Sequence, residues 1–147
     1  MKFLAQNIHT MDELNMIGNC LKGSRPILSL DAAFADPQHP ELVLLGEMFS
    51  QMLGTPQGHR KSKPFIDHVL SLHVVDKKIW FRNYQIKENA EKKGEPELVE
   101  IGPQFTLTIV KMFAGSFGGQ LLYQSPDYGM RFLRVCVFFM CGLYVYS

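Results

Sequence analysis

Residues 64–113, PFIDHVLSLHVVDKKIWFRNYQIKENAEKKGEPELVEIGPQFTLTIVKMF, contain the densest strand signals of the chain and its single tryptophan. Residues 68–75 alternate between two sets of side chains, which is typical of a strand with one buried face. Residues 79–86 are rich in aromatic and β-branched side chains and predict a return strand. Asp76 and Lys77 lie between the two segments, so the pattern predicts a hairpin with a two-residue turn.

The second half of this stretch is less regular. A charged loop over residues 87–97 leads to a third strand over residues 98–101, which Gly102 and Pro103 interrupt. Residues 105–113 are ambiguous, because their threonines and β-branched residues favour a strand while their apolar side chains fit one face of a helix. Glycine and proline precede this segment and a glycine follows it, so we predict a helix.

The residues before this stretch predict two strands and two helices. Residues 3–8 and 27–30 predict the strands. Thr10, followed three residues later by Glu13, has the pattern of a capping box and predicts that a helix begins there. The second helix begins near Pro40. Its amphipathic stripe consists of Leu42, Leu45, Phe49, Met52 and Leu53.

The predicted order is strand, helix, strand, helix, hairpin, strand and helix. This order indicates an α/β domain in which a mixed, partly antiparallel sheet packs with helices. A length of 147 residues leaves room for one domain of ordinary size.

Charge is distributed unevenly along the chain. The net charge is only +1, so nothing in the overall composition indicates nucleic acid. Residues 54–82, however, contain six Lys or Arg against two Asp or Glu, a local charge of +4. Within them Arg60, Lys61 and Lys63 have no acidic neighbour, which fits contact with phosphates. A solvated surface loop explains the same charges equally well.

The sequence contains no pattern for a metal or a cofactor, and we expect none. Three cysteines without a ligand spacing exclude a typical structural zinc site and indicate a reducing compartment. The apolar run over residues 135–146 is about half the ~20 residues that a membrane-spanning helix needs. We therefore expect neither a membrane nor a small-molecule substrate as a partner.

Catalysis is not expected either. Asp67, His68 and Ser71 have the residue types of a triad, but Asp67 and His68 would point to opposite faces of a strand. The glycine-rich segment over residues 115–119 lacks the Lys-Ser/Thr pair of a phosphate-binding loop.

The return strand divides its aromatic side chains between two faces. Trp80, Arg82 and Tyr84 share one face, whereas Phe81 lies on the other. Aromatic residues on an exposed sheet can stack on bases. The alternative is that they pack in the core under the helices, which we expect for Phe81.

Five segments together resemble the Brix family of ribosome-biogenesis factors: KFLAQNIHTMDELNMIGNCLKGSRPILSLD, HRKSKPFIDHV, IWFRNYQI, LVEIGPQF and FAGSFGG. The resemblance implies an α/β domain similar to anticodon-binding domains. It further implies a protein without enzymatic activity that binds precursor rRNA in the nucleolus of the nucleus, during assembly of the large (60S) subunit with other assembly factors. By the same resemblance, the expected RNA contacts are Lys22, Arg25, Arg60, Lys61, Lys63 and Arg82.

The chain also departs from the family pattern. Gln104 stands where the family has arginine. We expect residues 1–128 to form the later part of a Brix domain without its first half, and residues 129–147 to form a divergent apolar tail. Two alternatives remain open: a protein-interaction module that docks an assembly factor without touching RNA, and a non-functional fragment.

Overall fold

The computed structural model describes residues 1–14, 20–21, 24–54, 66–88, 96–116, 118–126 and 136–138. These residues contain one α-helix, α1 (Pro40–Leu53), and two short 3-10 helices, Met11–Glu13 and Ala32–Ala35. The strands are β1 (Lys2–His9), β2 (Pro26–Leu30), β3 (His68–Val75), β4 (Lys78–Glu88), β5 (Pro96–Glu100), β6 (Gln104–Phe113), β7 (Leu121–Gln124) and β8 (Cys136–Phe138).

All eight of these strands belong to one mixed sheet. Its main order is β2-β3-β4-β6-β1-β8, with β5 added to β4 and β7 added to β6. β2 and β3 are parallel and the other pairs are antiparallel. The predicted α/β class with a mixed, partly antiparallel sheet is thereby confirmed.

The predicted hairpin is also confirmed. β3 and β4 are joined by Asp76 and Lys77, whose φ angles are 51° and 60°. Two successive positive φ values give the turn whose twist matches that of paired strands. The register places Leu72 opposite Phe81 and His73 opposite Trp80, so the two faces alternate as predicted.

The helix predicted at Thr10 is wrong. Only a 3-10 turn over Met11–Glu13 forms, and the Thr10 side chain makes no capping hydrogen bond. The carboxylate of Glu13 instead lies 2.6 Å from Nδ1 of His9. The hydrogen bond to His9, together with the Thr10 amide, lowers the pKa of Glu13. The continuation of the predicted helix lies outside the described residues.

The helix predicted over residues 105–113 is also wrong, because this segment is strand β6. It pairs with β1 along one edge and with β4 and β7 along the other. Phe3 lies opposite Ile109, but Lys2 lies opposite Lys111, so residue 110 is an extra residue in β6. This bulge brings Ile109 and Met112 to the same face, and their spacing of three imitates a helix in the sequence.

The core lies between one face of the sheet and α1. Phe49 of α1 stacks on Phe3 with ring centroids 6.4 Å apart and meets Phe34 edge-on at 6.5 Å. The predicted amphipathic helix is therefore confirmed, with Leu45 and Phe49 buried, although Met52 of the predicted stripe is 37% exposed. The strands contribute the remaining buried side chains of this layer: Leu70, Leu72, Ile79, Phe81, Leu107, Ile109 and Met112.

An irregular joint connects β5 to β6. Both strands pair with the same edge of β4, but two residues of β4 between Tyr84 and Phe81 face four residues between Glu100 and Phe105. Asn83 stabilises the segment over residues 101–104, because its Nδ2 donates a hydrogen bond to the Gly102 carbonyl at 2.9 Å. Gly102 has a φ of 71°, and a Cβ there would lie 2.7 Å from a methyl group of Leu14. Glycine is therefore required at this joint, and the predicted strand break is confirmed.

Candidate nucleic-acid interface

The face of the sheet opposite α1 carries no α-helix among the described residues. We call it the open face. Its residues alternate with the core residues of the same strands. They include Lys78, Trp80, Arg82 and Tyr84 of β4, Val69, Ser71, His73 and Val75 of β3, Glu100 of β5, Thr106, Thr108 and Lys111 of β6, and Lys2, Leu4 and Gln6 of β1.

Trp80 lies near the middle of the open face. It is opposite His73 on β3 and opposite Thr106 on β6. Its side chain is 38% exposed, whereas the preceding and following residues of β4, Ile79 and Phe81, are buried in the core. The prediction that Trp80 and Phe81 point to opposite faces is confirmed.

Arg82 is held beside Trp80 by three contacts. Its Cζ lies 4.9 Å from the centroid of the indole, which is within the range of a cation–π contact. Its Nη1 donates to the Phe81 carbonyl at 3.0 Å, and its Nε lies 3.4 Å from Oε1 of Glu100. The arginine side chain is only 17% exposed, so most of the guanidinium is covered.

Three lysines lie at the end of the open face next to the β3–β4 turn. Lys2 is directly opposite Lys111, and Lys78 is opposite Thr108, on the same side of the sheet. By strand geometry the Cα atoms of Lys78 and Lys111 are roughly 10 Å apart. We call these three residues the lysine cluster. Within the described ranges, no carboxylate forms an ion pair with any of them.

Sequence reasoning missed the lysine cluster. Lys2, Lys78 and Lys111 belong to three different strands, so no local run of charge announces them. The predicted helix over residues 105–113 also takes Lys111 out of the sheet. The alternation of side chains along β6 places Lys111 on the open face, provided that the extra residue at position 110 is taken into account.

The predicted RNA contacts fall into two groups. Arg25 is half-buried and directly precedes β2, while Arg82 lies two strands away on β4. Strand geometry separates their Cα atoms by roughly 15 Å, so the two are not brought together. The other predicted contacts lie outside the described residues: Lys22, Arg60, Lys61 and Lys63.

His68 has a structural environment rather than a catalytic one. It is buried, and its Nδ1 lies 2.9 Å from Oγ of Ser24, which donates in turn to the Cys20 carbonyl. Burial lowers the pKa of His68. The strand register puts Ser71 on the open face, away from His68.

The described residues offer neither a metal-binding group nor a membrane-spanning helix. Among the described side chains, no group of three or more His, Cys, Asp or Glu could hold a metal ion. Of the helices in the described ranges, none is long and apolar enough to cross a membrane.

Comparison with known families identifies the class of protein. The family model of the Brix domain matches residues 1–111. The chain therefore belongs to the Brix domain family, which confirms the resemblance seen in the sequence.

Individual relatives are similar over most of this chain. The ribosome biogenesis protein BRX1 homolog of Xenopus laevis is 54% identical over 127 residues, which cover 86% of this chain and 35% of the relative. Ribosome biogenesis protein brx1 of Schizosaccharomyces pombe is 52% identical over 128 residues, covering 86% and 43%. BRX1 of Saccharomyces cerevisiae is 49% identical over 134 residues, covering 86% and 45%. The chain thus spans less than half the length of these relatives.

Proposed function

We propose that this protein is a non-enzymatic assembly factor that binds precursor rRNA during formation of the large ribosomal subunit in the nucleolus. The observation that carries the proposal is the open face, where the lysine cluster and an exposed tryptophan lie together. Cations that pair with no carboxylate in the described part of the chain suit a phosphate backbone. Membership of the Brix family and the name "ribosome biogenesis protein" of its relatives support the same function.

The binding mechanism is electrostatic and positional rather than chemical. Each lysine or arginine that neutralises a phosphate releases a counterion, which makes affinity depend steeply on salt. The proposed phosphate contacts are five of the cations that the family resemblance implies: Lys22, Arg25, Arg60, Lys61 and Lys63. Arg82, the sixth, is largely covered and paired with Glu100, so it contributes to the interface through Trp80 beside it. Together with the lysine cluster these contacts would attach precursor rRNA while other assembly factors bind the same particle.

A binding titration with labelled precursor rRNA tests the proposal. Replacement of Arg60, Lys61 and Lys63 by alanine should weaken binding and reduce the slope of log affinity against log salt by about 2 to 3, that is about 0.7 to 0.9 per lost phosphate contact. A single Lys87→Ala variant serves as the control, because Lys87 faces Glu97 on the helix-covered side. Unchanged affinity and slope in the triple variant would remove these three residues from the interface.

Exposed apolar side chains favour a second candidate function, the docking of another assembly protein without RNA. Ile27 at the β2 edge is 44% exposed, and Leu98 of β5 is 53% exposed. Both lie at the end of the sheet away from the lysine cluster. If folded protein captures assembly factors from a particle preparation but shifts no precursor rRNA in a gel, docking is the function and the RNA proposal is wrong.

A further inference from the structure

We propose that the open face binds unpaired RNA, with one base stacked on Trp80 and the phosphates of the adjoining nucleotides on the lysine cluster. The inference rests on the proposed RNA-binding function. It adds the form of RNA that is bound and the residue that receives the base.

The position of Trp80 suits a stacking surface. The ring is on an interior strand, flanked by His73 on one side and Thr106 on the other, and it remains 38% exposed. Thr106 itself is buried, with its Oγ1 donating to the Gln6 carbonyl at 3.0 Å, so a firm surface lies beside the indole. An exposed aromatic ring on an open sheet can stack on any base, because every base has a π-face.

Arg82 positions the tryptophan. Its guanidinium lies against the indole, while the Phe81 carbonyl and Glu100 hold the guanidinium in place. These contacts restrict the rotamers of Trp80 before any ligand arrives. Preorganisation of this kind lowers the entropy lost on binding. Because Glu100 offsets its charge and little of it is exposed, Arg82 acts through Trp80 rather than as a phosphate contact.

The positive charge of the lysine cluster favours a nucleic acid as the ligand of the open face. Lys78 precedes Trp80 by two residues on the same face of β4, about 7 Å along the strand. Lys2 and Lys111 continue the positive charge beyond it. Asp76 and Lys77 of the nearby turn have opposite charges, so the turn adds no net charge. A cationic group beside an aromatic ring is complementary to a nucleotide, which joins an anionic phosphate to a flat base.

Unpaired RNA is favoured over duplex RNA for a steric reason. In an A-form helix each base is stacked between its neighbours, so its face is covered and cannot reach Trp80. Only bases of single-stranded loops, bulges or ends can be splayed onto an aromatic side chain. Duplex RNA would keep the phosphate contacts and lose the stacking contact.

The test uses the full chain, in which Trp80 is the single tryptophan and therefore the only source of indole fluorescence. The protein is titrated with an unpaired 12-nucleotide oligouridine and with a blunt-ended duplex that has no loop and carries the same number of phosphates. We expect oligouridine to quench the emission and to bind several-fold more tightly than the duplex. Equal affinity for the two, or binding of oligouridine without quenching, would overturn the inference.

Variants separate stacking from charge. Trp80→Leu should lower the affinity for oligouridine roughly 5- to 100-fold, the equivalent of one stacked base, with little change for the duplex. Because this variant has no indole, the affinities of all variants are measured by the fluorescence anisotropy of end-labelled RNA. Trp80→Phe should restore most of the loss, and Met52→Ala, which removes an exposed apolar side chain from α1 on the other side of the sheet, should change neither affinity. Circular dichroism establishes that each variant is folded.

The outcomes also distinguish this inference from the proposed function. If Trp80→Leu and wild type bind oligouridine equally, RNA binding stands and the stacking role fails. If the folded wild type binds neither form of RNA, the proposed function fails, and capture of a protein partner on the open face would then assign that surface to docking.

Discussion

The two faces of the sheet share their strands but differ in what covers them. On the helix-covered face, Phe3, Leu72 and Leu107 are almost fully buried beneath α1. On the open face, Trp80 and Lys78 of β4 remain accessible, although Ile79 between them is in the core. Because strand side chains alternate, one strand can contribute to stability with one set of residues and to binding with the other. Substitutions on the two faces should therefore separate the free energy of unfolding from RNA affinity.

The largest effect is expected on the helix-covered face. Phe49→Ala should lower the free energy of unfolding by about 3–5 kcal/mol, because it leaves a cavity between Phe3 and Phe34. Urea unfolding followed by circular dichroism measures the change. Met52→Ala on the exposed side of the same helix is the control, and it should change stability much less. Equal losses in the two variants would show that α1 does not bury the face assigned to it.

A smaller loss is expected at the joint between β5 and β6. Asn83→Ala should cost about 1–3 kcal/mol, because the buried Gly102 carbonyl loses its side-chain donor. Gln124→Ala at an exposed position of β7 provides the comparison in the same urea assay. Since Arg82 and Glu100 flank the joint, the variant should also weaken their ion pair and lower RNA affinity modestly. Unaltered stability would rule out this role for Asn83.

Asp31, on the helix-covered side, should make the free energy of unfolding depend on pH. Its Oδ2 accepts from the Val74 amide at 3.0 Å, and this hydrogen bond holds the pKa of the carboxyl below its usual range. A lowered pKa means that the carboxylate stabilises the fold above the unfolded pKa, and that this contribution is lost as the pH falls through the folded pKa. Asp31→Asn should therefore cost about 1 kcal/mol near neutral pH.

The pH profile of that variant is the decisive part of the measurement. The difference in stability between wild type and Asp31→Asn should stay constant above about pH 5 and shrink below about pH 4, where the unfolded carboxyl takes up its proton. Urea unfolding between pH 3 and pH 7 follows it. A difference that persists undiminished at pH 3 would contradict the proposed source of the stabilisation.

Charge reversals on the two faces should change stability least and should move stability and RNA affinity in different ways. Lys2 and Lys111 are directly opposite each other, and like charges in that position destabilise a sheet. Lys111→Glu should raise the free energy of unfolding by about 0.2–1 kcal/mol while it lowers RNA affinity. Lys87→Glu, which faces Glu97, should do the reverse, with slightly lower stability and unchanged affinity. If stability and RNA affinity changed in the same direction in each of these two variants, the two faces would not have separate roles.

Local patterns predicted most of the elements correctly. The hairpin through Asp76 and Lys77 and the helix containing Leu45 and Phe49 each depend on residues that are close together in the sequence. Both elements can therefore be predicted from local patterns. The irregularities could not be read. The extra residue at position 110 changes the period of β6, and its cause is pairing with β1, which lies a hundred residues away in the sequence.

The candidate site was predictable only in part. The shared face of Trp80 and Arg82 follows from alternation within one strand, and it is confirmed. The burial of Arg82 against Glu100 depends on the joint that brings β5 alongside β4, which no local pattern reveals. The lysine cluster likewise requires the strand order β4-β6-β1. The contributions of Lys22, Arg60, Lys61 and Lys63 to RNA binding stay predictions.

The most direct test of the division between the faces is the salt dependence of binding to the unpaired oligouridine. A variant with Lys2→Gln, Lys78→Gln and Lys111→Gln is compared with wild type and with Lys87→Gln. Loss of three phosphate contacts should reduce the slope of log affinity against log salt by about 2, at about 0.7 per contact on a single strand, while Lys87→Gln keeps the wild-type slope. A wild-type slope in the triple variant would contradict the assignment of the open face as the RNA-binding surface.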